Sequence, residues 1–150
     1  MVKAYASNII KKDIITYFSY LFIRDSKVQK MKTMIIKADS LKETATYERC
    51  SVAENYHSEE VSVARATVKA GITTVAHHLK NVEEIYLITS GRGIVEVGDL
   101  PPTEVVEGDM VVIPAGISQK ITNTGKKDLV FTCICTPRFI AQCYVDEETH

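Results

Sequence analysis

Two stretches of this chain place turn glycines and side chains able to bind a metal at spacings that bring them together only inside a β-barrel. One runs from Gly71 through His77, His78, Leu79, Glu83, Glu84 and Tyr86 to Gly91. The other runs from Gly108 through Pro114, Gly116 and Gln119 to Asn123. The glycines suit positions where φ is positive or two strands approach closely, and Pro114 pre-sets a bend. Asn123 can hydrogen-bond nearby backbone at a strand end.

The sequence around them reads as strands. Residues 61–68 are rich in β-branched side chains and end at the turn signal Lys69, Ala70, Gly71. Short apolar runs follow at 85–89, 93–97, 110–113, 119–122 and 129–135, each closed by Gly, Pro, Asn or Asp. Short strands at regular spacing predict an all-β sandwich or jelly-roll barrel. A chain of 150 residues suits one such domain. Ahead of it, Ile9, Ile10, Ile14, Tyr17, Phe18, Leu21 and Phe22 recur at near-helical spacing, whereas the texture from Met34 onward is that of strands. The expected division is an extension over 1–33, read as an amphipathic helix or as residues upstream of the true start, and a barrel domain over 34–150.

The two stretches resemble motifs 1 and 2 of the cupin superfamily. Two positions depart from that pattern: Leu79 stands where motif 1 has its second histidine, and Gln119 where motif 2 has its histidine. The resemblance runs from Val61 to about Tyr144. It implies the superfamily's double-stranded β-helix, whereas the usual metal site of three histidines and one glutamate is left incomplete.

Side-chain parity indicates which groups can meet. His77 and Leu79 share one strand face, and Glu84, Tyr86 and Ile88 share another, while His78 and Glu83 point the other way. The resemblance puts the first two sets inside the barrel, joined by Gln119 and Ile121. A carboxylate among apolar neighbours is costly unless it meets a cation or strong donors. In one reading the partner of Glu84 is a divalent metal, Mn, Fe, Ni or Zn, held by His77, Glu84 and Gln119, with Glu84 also the catalytic proton carrier. In the other, protonated His77 bonds Glu84 directly and Gln119 completes a polar network without metal. Tyr86 is expected to orient a substrate through its hydroxyl, and Arg65, if turned inward, to bind a carboxylate or phosphate. His57 and His78 are expected to face solvent.

Eighteen basic and nineteen acidic residues, with no basic stripe interleaved with aromatics, argue against a nucleic-acid partner. Cys50, Cys133, Cys135 and Cys143 lack the paired spacing of zinc ribbons, and reduced, buried thiols fit a cytoplasmic setting. The apolar run over 14–23 is too short to span a bilayer and is flanked by charges. No nucleophile elbow, phosphate loop or zinc-protease motif is present in the sequence. The expectation is therefore a homodimeric cytoplasmic protein that binds one divalent metal and a small polar metabolite, as an isomerase, lyase or dioxygenase. The alternative is a non-catalytic small-molecule-binding barrel with a degenerate metal site.

Overall fold

The computed structural model describes residues 32–148, nearly all of them in the compact unit Ile36–His150. The helical periodicity at residues 9–22 and the terminal His150 lie outside the described residues. In chain order the strands are β1 (Thr44–Ala45), β2 (Ser51–His57), β3 (Ser62–Val68), β4 (His77–Leu79), β5 (Glu83–Ser90) and β6 (Arg92–Val97). They continue with β7 (Thr103–Val106), β8 (Met110–Ile113), β9 (Gln119–Asn123), β10 (Leu129–Thr136) and β11 (Tyr144–Asp146). Short 3₁₀ turns at Ala38–Ser40 and Ala141–Cys143 complete the described elements. None of these elements is long and apolar enough to cross a membrane as a helix.

The strands form two antiparallel sheets, ordered β1-β2-β3-β10-β5-β8 and β11-β4-β9-β6-β7. From β3 onward the chain crosses repeatedly between the sheets, which winds the strands into the double-stranded β-helix expected from the sequence. The alternation of buried and half-exposed residues along β5 and β9 follows from that two-layer packing, since successive side chains point to opposite faces.

The six runs read as strands are all present, with ends shifted by at most two residues. The polar run Glu54 to Glu60 was not read as a strand, yet its first part belongs to β2. A register shift between Glu54 and Tyr56 breaks the alternation that would have marked it.

One motif glycine shows why only that residue fits. Gly91 turns the chain from β5 to β6 at φ 89°. A Cβ there would lie 2.7 Å from the Asp128 carbonyl oxygen and 3.0 Å from the Leu129 Cα, both backbone atoms. Asn123 has a different structural duty. Fully buried, its amide donates to the carbonyls of Val68 and Lys127, each at 2.8 Å, and its oxygen accepts from the Gly125 N–H at 2.8 Å. It thereby ties the end of β3 to the β9–β10 turn.

The core fills the interior at one end of the barrel. Val68, Ile88, Ile113, Ile121 and Leu129 are each no more than 1% exposed. Burying each such side chain contributes about 1.5–3 kcal/mol. Tyr86 and Phe131 close this cluster and also face the cavity beyond it, with ring centroids 4.5 Å apart.

Candidate functional site

The unfilled part of the interior is a cavity of about 240 Å³ between the sheets. His77 reaches it from β4, Glu84 and Tyr86 from β5, and Ala64 and Ala66 from β3. The inward parity expected for His77, Leu79, Glu84, Tyr86, Ile88, Gln119 and Ile121 holds, for all are buried. His78 and Glu83 take the opposite face, where His78 bonds Glu147 at 2.6 Å.

Pairing of β4 with β9 sets His77 directly opposite Gln119. The Nδ1 of His77 lies 2.9 Å from the Val75 carbonyl. A carbonyl only accepts, so Nδ1 carries a proton, and Nε2 has no hydrogen-bond partner among the described residues. The ring stacks on Tyr144 at 4.7 Å, held there because β11 pairs with β4. Gln119 donates from Nε2 to Glu84 Oε2 at 2.8 Å, and Cys135 donates its thiol proton to Oε1 at 3.5 Å. Burial pushes the Glu84 carboxyl above its ordinary 4.5, against the lowering influence of Gln119, His77 and two thiols.

Glu48, in the turn before β2, also lines this cavity. Burial raises its carboxyl, His77 lowers it and Glu84 raises it further, so the three groups act on one another. Sequence reasoning missed Glu48 because it lies ahead of both motifs and in no apolar run. Cys50, Cys133 and Cys135 line the cavity too. The shared face of Cys133 and Cys135 was legible from parity, though not their exposure to the cavity. Burial lifts the Cys50 thiol to about 11 and holds Cys133 and Cys135 above their ordinary range, with nearby Glu84 adding to the effect on both. They stay protonated near neutral pH and are poor nucleophiles.

Arg65 does not join the group. It falls on the other face of β3, where it donates to Glu43 at 3.3 Å, and is not among the residues lining the cavity. His57 sits at the rim, bonded at 2.7 Å to Glu54, which does line it.

The superfamily's metal site requires donors that these residues do not supply. Leu79 offers none. The Glu84 carboxylate only accepts, so it fixes the Gln119 amide with its N–H₂ inward and leaves Oε1, the atom a metal would need, buried without a partner. Among the described residues no three His, Cys, Asp or Glu side chains converge as a group able to hold a metal ion. His77, Glu84 and Gln119 are all buried on neighbouring strands, but only Gln119 and Glu84 are hydrogen-bonded to each other; His77 bonds the Val75 carbonyl rather than Glu84, and the arrangement does not fit the metal.

The model of the family described as Cupin domain matches residues 64–135. An uncharacterized protein of Methanocaldococcus jannaschii, MJ1618, is 32% identical over 114 residues, covering 73% of this chain and 90% of that protein. Among solved structures, KdgF from Halomonas sp. superposes with a TM-score of 0.68 at 13% identity, over 74% of this chain and 99% of that one. A conserved protein with a double-stranded β-helix domain from Klebsiella pneumoniae gives 0.64 at 14% identity, over 79% of this chain and 100% of that one. At such identities the two structures bear on the fold alone.

Proposed function

Because the chain belongs to the cupin superfamily, we propose that it binds a small organic molecule in the cavity between its sheets and does so without a resident metal. The observation that carries this reading is the Gln119 to Glu84 hydrogen bond, which ties up the carboxylate beside an open cavity of about 240 Å³. That volume exceeds the ~150 Å³ apolar cavity known to take up benzene. His77 and Glu84 face the ligand, Tyr86 forms part of the wall, and Arg65 plays no part.

A catalytic role rests on the same groups. His77 can accept a proton at Nε2, and Glu48 and Glu84, whose carboxyls burial raises above the ordinary range, can exchange one with a ligand. Reactions that only move protons, such as isomerisation or elimination, are within reach of this set, with Glu84 the proton carrier.

A cytoplasmic setting belongs to the same proposal and is supported by four free cysteines. So does a homodimer. On the outer face of the six-stranded sheet, register sets Val63, Ile134, Ile85 and Val112 in one apolar row. On the edge strand β8, Met110 and Val112 are 60% and 54% exposed.

Native mass spectrometry of the gently purified chain tests the binding reading. We expect a small organic adduct on the wild type after incubation with a cell extract, and its loss in Ala64→Phe, which fills the cavity. An adduct retained in that variant, or a bare mass for both proteins, would contradict it.

A further inference from the structure

The lining of the cavity indicates which class of molecule it takes. Three carboxylates, Glu48, Glu54 and Glu84, and one imidazole face it, and no Lys or Arg is among its lining residues. Glu54 is engaged with His57 at the rim, and both Glu84 oxygens accept hydrogen bonds, one from Gln119 and one from Cys135. The Glu48 carboxyl, by contrast, has no hydrogen-bond donor among the described residues.

Hydrogen-bond accounting leads to the same class independently. His77 bonds through Nδ1 only, which leaves Nε2 without a partner among the described residues. At the cavity wall the Glu48 oxygens and His77 Nε2 stand without hydrogen-bond partners, beside a Tyr144 hydroxyl that can donate or accept, so a ligand that brings donors meets the Glu48 carboxyl. An anionic ligand would bring more acceptors and negative charge to a wall with no compensating cation. A ligand with N–H groups and positive charge satisfies both needs.

The walls distinguish an organic cation from a metal ion. Tyr86, Phe131, Phe139 and Tyr144 line the same cavity. Aromatic faces attract organic cations, and a cavity of about 240 Å³ has room for a body several times larger than a bare ion. We propose that this cavity binds a small organic cation, an amine carrying an apolar or aromatic body, with its nitrogen against Glu48 and its body against the rings. The proposal rests on the reading of the cavity as a ligand site and names the substrate class of that site.

Isothermal titration of the full chain near neutral pH with three molecules of matched shape tests it: benzylamine, benzyl alcohol and benzoate, with manganese and zinc chlorides alongside. Benzylamine is expected to bind at least about tenfold more tightly than benzyl alcohol, the scale of one charge-assisted hydrogen bond, and benzoate not to bind measurably. Glu48→Gln, at a half-buried turn position outside the core, should bring benzylamine down to the level of the alcohol. Benzoate binding as tightly as benzylamine, no preference for the amine over the alcohol, an unaffected Glu48→Gln, or heat with the metal salts alone would each overturn it. If the alcohol or benzoate binds as tightly as the amine and Ala64→Phe abolishes that binding, the ligand-site reading stands and only the cation fails. If none of the three binds, both fail.

Discussion

Position 119 carries more of the chemistry than its short reach suggests. A histidine there could offer a lone pair to a metal, whereas glutamine turns its N–H₂ toward Glu84 and leaves its oxygen buried without a partner. Restoring the two missing imidazoles with Leu79→His and Gln119→His together should therefore create a site that takes up about one equivalent of a divalent metal, read by elemental analysis. The carboxyls give a second prediction. Burial first of all raises Glu84 and Glu48 above 4.5, so the folded chain holds their protons more tightly than the unfolded one. Their contribution to stability is complete below that value and is lost as pH rises through the raised values. Urea unfolding between about pH 4 and 8 should show falling stability, with a shallower fall in Glu84→Gln. Asn123→Ala should cost about 3 kcal/mol in the same assay, because it orphans two carbonyls and one N–H around a fully buried position.

At the scale of elements, the barrel was legible wherever β-branched runs alternate between turn residues, as in β3, β5, β9 and β10. The inward set on β4, β5 and β9 followed from parity once the motifs had fixed which face is inside. The remainder was hidden for physical reasons. The register shift in β2 disrupts its alternation, and Glu48 acquires its role from a turn folding over the cavity. Likewise, Tyr144 lies far from His77 in sequence and meets it only because β11 returns to pair with β4. The turn glycines were readable as a class, yet the close approach at Gly91 depends on the distant Asp128 and Leu129 backbone. Gly91→Ala should destabilise the chain by about 2 kcal/mol or more, visible as a lowered thermal midpoint, since it combines a positive φ with a clash against backbone that cannot move aside.

For the whole molecule, one barrel end is packed solid and the other holds a cavity with mainly apolar walls into which Glu48, Glu54, Glu84 and His77 project, a division that separates the core from the proposed ligand site. The apolar outer row of the six-stranded sheet and the exposed edge strand β8 support self-association. Multi-angle light scattering should give twice the chain mass, and Val112→Lys should return it to the monomer mass. The absence of a resident metal remains the central claim about the site, and the most direct test is inductively coupled plasma mass spectrometry of the wild type beside His77→Ala. The account predicts substoichiometric Mn, Fe, Ni and Zn in the wild type, unchanged in the variant and unaffected by added metal. Near one equivalent of any of these in the wild type, absent from His77→Ala, would contradict it.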